Sequence, residues 1–350
     1  MNMRIGQREV GDGCPVYVIA EAGSNHNGSL DQAKRLIDVA REAGADAVKF
    51  QTFRAERMYA RRRSAPVEYL RRLGVDKTIF EVVKDMEMPF EWLPVLTVHC
   101  REQGIEFLST PFDEVCAEVL QPFVAAFKVA SYELTHVPLL RHLAAYGKPM
   151  IVSTGAASLA EIADAVTACQ DAGAAVCLTQ CTAQYPADLD AINVRAIATL
   201  RQHFGVPVGL SDHSVHPTYA PCAAVALGAC VIEKHFTLSQ RLPGPDHAFA
   251  LEPAELAQMV TAVRATQRAL GSGEKVAQEC ERELLDYRRS IFTSRPVRSG
   301  EAFGSGNLIV LRRSGTPATD VSPKQWDKVV GGRARRDMEE ETAISWSDIE

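Results

Sequence analysis

Twice in close succession this chain runs a short apolar segment into a histidine. Val206 to Leu210 leads into Ser211-Asp212-His213, and Cys230-Val231-Ile232 leads into Glu233-Lys234-His235. Between them Ala223 to Ala229 reads as a small-residue helix closed by a turn at Gly228. Parallel strands need such a crossover helix, and the crossover returns both strands to the same end of the sheet. Neighbouring strands lie about 4.8 Å apart. His213 and His235, just past the ends of consecutive strands, are therefore expected to share one divalent ion. Imidazole is a common metal ligand, and two protein ligands leave positions for water and substrate.

The same grammar repeats along the chain. Apolar runs at 16–20, 47–48, 105–108, 127–130, 149–152 and 175–178 each end in polar residues, and with the two above they make eight. Helical spacing fills the gaps, as in Leu30, Ala33, Leu36, Ile37 and Ala40 before Gly44. Eight βα units predict a closed (β/α)8 TIM barrel, with an α/β open, doubly wound sheet as the competing architecture. No GxGxxG follows the first strand, which argues against a dinucleotide fold. A charged, helical excursion is expected over 54–103, and a last helix over 255–270 should close the barrel. The domain reading is 1–275 for the catalytic barrel, 276–289 for a polar linker and 290–350 for a small C-terminal piece. That piece carries a weak internal repeat at a constant offset of 41 positions, 295 to 336 and 308 to 349. A piece so small is expected to lean on the barrel or on a second subunit.

A net charge of −6 and a pI near 5.9 argue against nucleic-acid binding. The basic clusters Arg61-Arg62-Arg63 and Arg71-Arg72 read as solvated surface. The nine cysteines form no CxxC pair and no regular framework; several (Cys169, Cys177, Cys222, Cys230) fall inside apolar periodic segments and read as buried thiols of a reducing compartment. The N-terminus lacks the apolar core of a signal peptide, and no apolar run is long enough to span a bilayer. These features predict a cytoplasmic protein without a membrane partner.

The ends of the predicted strands collect Glu21, Lys49, Lys128, Ser131, Glu133, Ser153, Ser211, His213, His235 and, on the Gly244-Pro245 loop, Asp246. A lysine that ends an apolar strand is costly unless an anion meets it. Two of them among serine hydroxyls suit a small phosphate or carboxylate ligand. A structural network of Lys49 and Lys128 with Glu21 and Glu133 is the competing reading. A divalent ion nearby would add Lewis acidity, and Glu21 is then a candidate general acid or base. His26, His216 and His247 lie near the mouth without an assigned role.

On these residues the chain resembles the sialic acid synthase family. The matching stretches are Ile19-Ala20-Glu21-Ala22-Gly23-Ser24-Asn25-His26-Asn27-Gly28, Ala47 to Gln51, Ser109-Thr110-Pro111-Phe112, Lys128 with Ser131 and Glu133, Ser153-Thr154-Gly155, Ser211-Asp212-His213, Glu233 to Thr237, and Pro243 to His247. The tail resembles the antifreeze-like (SAF), β-rich domain of that family, at Tyr287 to Ser290 and Asn307-Leu308. The resemblance implies a transferase that condenses phosphoenolpyruvate with an amino-sugar aldehyde. It implies Lys49, Gln51, Thr110, Lys128, Ser131, Ser153 and Ser211 at phosphoenolpyruvate, and His213 and His235 on manganese or magnesium. It further implies Glu133, Tyr185 and Asp246 at the acceptor sugar, and Glu21 handling protons. Arg312, from the tail of a domain-swapped homodimer, would reach the sugar's N-acyl group. The chain departs from the family pattern at Ala183, where asparagine is common, at Arg313, where proline is usual, and at Ser214-Val215-His216-Pro217. Two alternatives remain: a phosphoenolpyruvate-dependent aldol synthase for another sugar or sugar phosphate, and a non-catalytic sugar-binding barrel.

Overall fold

The computed structural model describes residues 2–65, 76–313 and 320–350, so Arg71 and Arg72 lie outside the described residues. The chain divides into two compact units, Met1–Gly271 and Ser272–Glu350. The first opens with an antiparallel hairpin, β1 (Asn2–Ile5) and β2 (Arg8–Gly11). Eight parallel strands follow: β3 (Tyr17–Gly23), β4 (Ala47–Thr52), β5 (Glu106–Pro111), β6 (Phe127–Val129), β7 (Met150–Ser153), β8 (Val176–Cys181), β9 (Val208–Asp212) and β10 (Val231–His235). Their order in the sheet is β5-β4-β3-β10-β9-β8-β7-β6, and the two edge strands β5 and β6 lie beside one another. The sheet therefore curls into a nearly closed (β/α)8 barrel with one seam, and is not an open sheet.

Closure rests on Asp46 at the start of β4. Its carboxylate accepts from the Val18 amide (2.7 Å) and from Arg264 Nη2 (2.6 Å) on the final helix, Pro253–Leu270. Gln267 on the same helix accepts from the Val16 amide at 3.0 Å and donates to the Cys14 carbonyl at 2.7 Å. The last helix is thus fastened to the first barrel strand. The hairpin was not legible in the sequence. It turns Met3, Ile5 and Val10 against the inward residues Tyr17, Ile19, Ala47, Leu108, Ile151, Cys177 and Val231, which plugs the end where the strands begin.

Side chains alternate across a strand, and this parity organises the interior. Tyr17 and Ile19 share a face with Glu21, Ala47 with Lys49 and Gln51, Ile151 with Ser153, and Val231 with Glu233 and His235. The barrel interior is apolar where the strands start and ionisable where they end. The strands also run further than their apolar stretches suggest. Glu21, Lys49, Gln51, Thr110, Ser153, Ser211 and His235 lie within the last residues of their strands rather than beyond them. The ladder is made by backbone groups, so a polar side chain facing the mouth does not end it.

Gly209, the second residue of β9, has no room for a side chain. A Cβ there would sit 2.5 Å from the Val231 carbonyl oxygen and 2.8 Å from Val231 Cβ. Gly209→Ala must push β9 off β10, and is expected to cost about 1–3 kcal/mol as overpacking. The shift in the urea midpoint at unchanged m-value measures it.

The 54–103 excursion contains the helices Ile79–Asp85 and Trp92–Gln103, the first opened by a Thr78–Glu81 capping box. No helix among the described residues is long and apolar enough to cross a membrane. All nine cysteines are free thiols.

The second unit pairs β11 (Arg289–Thr293) with β12 (Leu308–Arg312) over a core that includes Ile291, Val297, Phe303, Val321, Met338 and Ile344. The 41-residue repeat is a true pseudo-twofold. Val297 and Met338, equivalent positions of the two copies, exchange both backbone hydrogen bonds at 2.8 Å. Gly300 N–H donates to the Ala334 carbonyl, and its counterpart Glu341 N–H donates to the Thr293 carbonyl. Both donors have positive φ, 79° and 55°. Asn307 and Asp348 accept from the Gly304 and Ser345 amides in the same way.

Candidate functional site

The ionisable upper layer of the barrel forms a connected buried network. Lys49 Nζ lies 2.7 Å from Glu21 Oε2, donates to Thr110 Oγ1 at 3.0 Å, and lies 3.7 Å from Glu233 Oε1. Lys128 Nζ is 3.5 Å from that same Glu233 oxygen and donates to Ser153 Oγ at 2.6 Å. Ser211 Oγ donates to Glu233 Oε1 at 3.4 Å, and Ser153 Oγ meets Thr179 Oγ1 at 2.9 Å. Gln51 Nε2 donates to Glu21 Oε1 at 2.9 Å. Ser131, on the turn after β6, accepts from the Gly155 amide at 3.0 Å. The structure therefore brings together Glu21, Lys49, Gln51, Thr110, Lys128, Ser153 and Ser211, with Ser131 beside them.

Glu233 is the member that the sequence reading left without a role. It is buried between both lysines and Ser211. Parity was the available signal, because Glu233 must share a face with His235 while Lys234 turns away. Lys234 indeed lies on the opposite face, 2.6 Å from Asp212 Oδ2 and bonded to Ser214 O. Asp212 also accepts from the Ser214 amide at 2.8 Å. This second buried pair holds the turn that follows β9.

The charges of the network are set by burial and by its own counter-ions. Burial raises the Glu21 carboxyl to about 7, although Lys49 pulls it down. Burial acts against the charged form of Lys49, but Glu21 and Glu233 outweigh it and raise its pKa. Burial likewise opposes ionisation of Glu233, and Lys128 and Lys49 reverse that, so it stays a carboxylate. Glu133 is half-buried and pushed up to about 7 by desolvation, with its Oε2 lacking a hydrogen-bond partner.

The two histidines come together as expected. Their ring centroids are 5.5 Å apart, and Tyr185 packs on both, at 4.1 Å from His213 and 6.1 Å from His235. Phe249 packs against both His235, at 5.3 Å, and Tyr185, at 5.7 Å. His213 Nδ1 donates to the Thr182 carbonyl at 2.7 Å, which leaves Nε2 as a lone-pair donor. His235 Nδ1 is buried without a hydrogen-bond partner, 3.8 Å from Asp246 Oδ2. Desolvation lowers both imidazole pKa values, so both rings are neutral, the form that binds a metal. An orphaned buried ring nitrogen beside a second neutral imidazole fits a divalent ion. Among the described residues no group of three or more His, Cys, Asp or Glu side chains is placed to hold a metal. The protein's share of such a shell is these two imidazoles.

The two clusters meet over Gly23. A Cβ at that glycine, where φ is +52°, would lie 3.3 Å from Glu21 Oε1 and 3.4 Å from both Asp246 Oδ2 and Gln51 Nε2. Arg312 is exposed at the end of β12, in the second compact unit. Arg313, where the family pattern has proline, is buried and uses Nε and Nη2 to bond the Arg288 and Leu285 carbonyls, both at 3.2 Å.

The profile of the NeuB family matches residues 36–275. The chain belongs to the NeuB family. A SAF domain profile matches residues 288–350 of this NeuB-family chain. The chain is 44% identical to the spore coat polysaccharide biosynthesis protein SpsE of Bacillus subtilis, over 99% of this chain and 96% of that protein. The crystal structure of that protein superposes with a TM-score of 0.68, covering 100% of this chain and 99% of that one. An N,N'-diacetyllegionaminic acid synthase of Legionella pneumophila is 38% identical over 99% of this chain and 98% of its own length. A crystal structure of N-acetylneuraminic acid synthetase from Leptospira borgpetersenii, in complex with citrate, is 34% identical with a TM-score of 0.73, covering 82% of this chain and 96% of that one. The chain is accordingly an enzyme of the sialic acid synthase family.

Proposed function

We propose that this enzyme joins phosphoenolpyruvate to the aldehyde carbon of an N-acylated amino sugar, giving a nonulosonic acid and inorganic phosphate. The observation that carries the reading is Glu233 Oε1, with two buried ammonium groups at 3.7 and 3.5 Å. Two buried cations on one face are tolerable only with anions between them. A three-carbon donor bearing both phosphate and carboxylate supplies the remaining negative charge. Hydroxyls of Thr110, Ser131, Ser153 and Ser211, with the Gln51 amide, orient it.

Carbon 3 of the donor forms the new carbon–carbon bond to the aldehyde, whose oxygen takes up a proton. Water adds its oxygen to carbon 2 and loses a proton, and the bond from carbon 2 to the phosphate oxygen breaks as phosphate leaves. Glu21 is the group suited to hold and release these protons, because its carboxyl sits at about 7. His213 and His235 would hold manganese or magnesium, which supplies Lewis acidity toward the aldehyde oxygen. Tyr185, Glu133 and Asp246 would face the acceptor. Arg312 of a second copy, in a swapped homodimer, would reach the N-acyl group. None of these barrel residues is basic, and the one basic group assigned to the acceptor, Arg312, is used at the N-acyl group, which favours an unphosphorylated amino sugar over a sugar phosphate. A central metabolite as donor fits a cytoplasmic enzyme.

The test is phosphate release from phosphoenolpyruvate with N-acetylmannosamine, its 6-phosphate and 2,4-diacetamido-6-deoxyhexoses, with and without manganese. Release with an unphosphorylated acetamido sugar is the expected outcome. Absence of release with every acceptor would overturn the reading. His235→Ala is expected to lose metal-dependent turnover by at least ~100-fold, and unchanged turnover would remove the metal assignment.

A further inference from the structure

His247 belongs to none of the groups assigned above, yet it is fully buried and bonded at both ring nitrogens. Its Nδ1 lies 2.6 Å from Thr237 Oγ1, two residues beyond His235. Its Nε2 lies 3.1 Å from Asn27 Oδ1, in the turn that follows β3. Asn27 Oδ1 only accepts, so Nε2 carries the proton, and Nδ1 at 2.6 Å takes the Thr237 hydroxyl proton ahead of the Ser239 carbonyl at 3.1 Å. One neutral ring thus joins three segments of the barrel mouth: the end of β10, the turn after β3 and the 239–249 loop. Gly244 packs edge-on to the ring. A Cβ at Gly244, where φ is +144°, would come within 2.7 Å of His247 Cδ2.

The flanking side chains are what this arrangement fixes. Asp246, one residue before, places its carboxylate over Gly23 and 3.8 Å from His235. Phe249, two residues after, packs on His235 and lies 5.7 Å from Tyr185. Gln240 ties the ends of the same loop, its amide donating to Glu252 Oε1 at 2.9 Å and its Nε2 to the Ala250 carbonyl at 3.1 Å, whereas the His247 ring anchors the stretch beside Asp246.

We propose that His247 is a positioning residue for the acceptor half of the site: through Thr237 and Asn27 it clamps the 239–249 loop so that Asp246 meets the sugar, without touching the donor half. The substrate part of this statement rests on the function proposed above; the clamp itself does not.

The test compares full-length wild type, His247→Gln, His247→Ala, Asp246→Ala and the double variant. Glutamine can still donate to Asn27 and accept from Thr237. In phosphate-release assays His247→Ala raises the KM for the acceptor about tenfold or more and leaves the KM for phosphoenolpyruvate within about twofold, while His247→Gln recovers most of the loss. Because the effect passes through Asp246, the double variant is no worse than Asp246→Ala. Equal changes in both KM values, or full additivity in the double variant, would overturn the positioning role. Hydrogen exchange of the 239–249 loop is read in parallel and needs no turnover. It speeds up in His247→Ala and returns toward wild type in His247→Gln, and unchanged exchange in the alanine variant would overturn the clamp. If wild type turns over no acceptor while loop exchange responds as stated, the function reading fails and the clamp stands.

Discussion

Lys49→Met is expected to lower kcat/KM for phosphoenolpyruvate by at least ~1,000-fold, or about 4 kcal/mol of transition-state stabilisation. Methionine keeps the length and apolar stem of the side chain, so the barrel fills as before. What it removes is the ammonium that meets Glu21 at 2.7 Å, Thr110 at 3.0 Å and Glu233 at 3.7 Å. Glu233 is then left with Lys128, and Glu21 with the Gln51 amide. Lys49 is the largest influence holding the Glu21 carboxyl down against burial. Its loss raises that carboxyl above about 7, so any limb of the pH–rate profile that reports Glu21 moves to higher pH. The site would no longer present paired cations to a doubly acidic donor. Lys84, exposed and bonded to Glu56 and Glu87, is the control. Lys84→Met should leave kcat/KM within about twofold, as expected for a surface ion pair. A Lys49→Met enzyme with donor kinetics near wild type would sink the proposed donor site.

Asp212→Asn is expected to cost about 3–5 kcal/mol of stability at neutral pH, although the new side chain is isosteric. Lys234 is buried, and Asp212 at 2.6 Å is its only ion-pair partner in the described structure. Burial already lowers the Lys234 pKa, and Asp212 is the largest influence opposing it. With asparagine in place the folded-state pKa falls further, while the unfolded value is unchanged. Between those two values the unfolded chain binds the extra proton, so the stability of the variant rises with pH and the deficit shrinks toward pH 10. The wild-type protein shows less of this slope. Urea unfolding of both proteins at several pH values measures it. The double variant Asp212→Leu/Lys234→Met, with no buried charge left, should regain most of the stability. A single Asp212→Asn variant as stable as wild type would show that Lys234 finds another partner.

The barrel could be read from the sequence because each strand carries an apolar run in its first half, and these runs are what the plug and the surrounding helices bury. The site could be read because polar residues follow those runs at one end. Strand ends were placed too early, since Lys49, Ser211 and His235 still pair through the backbone while their side chains face the mouth. Glu233 was passed over for a related reason. A carboxylate beside a lysine reads as an ion pair along the chain, but the pleat sends Glu233 inward and Lys234 outward. The hairpin Asn2–Gly11 gave no signal, because its two strands are only four residues each and bury just two residues apiece. His247 looked unassigned because its partners, Asn27 and Thr237, are chosen by the closure of the barrel and not by nearness in sequence.

The tail's 41-residue offset carries its own implication. Val297 and Met338 bond to each other rather than each within its own copy. Half of the tail, cut between the copies, would therefore expose donors and acceptors whose only mates sit on the missing half. The unit can be gained or lost only whole, and a lesion at either of these two positions is felt on both sides of the dyad at once.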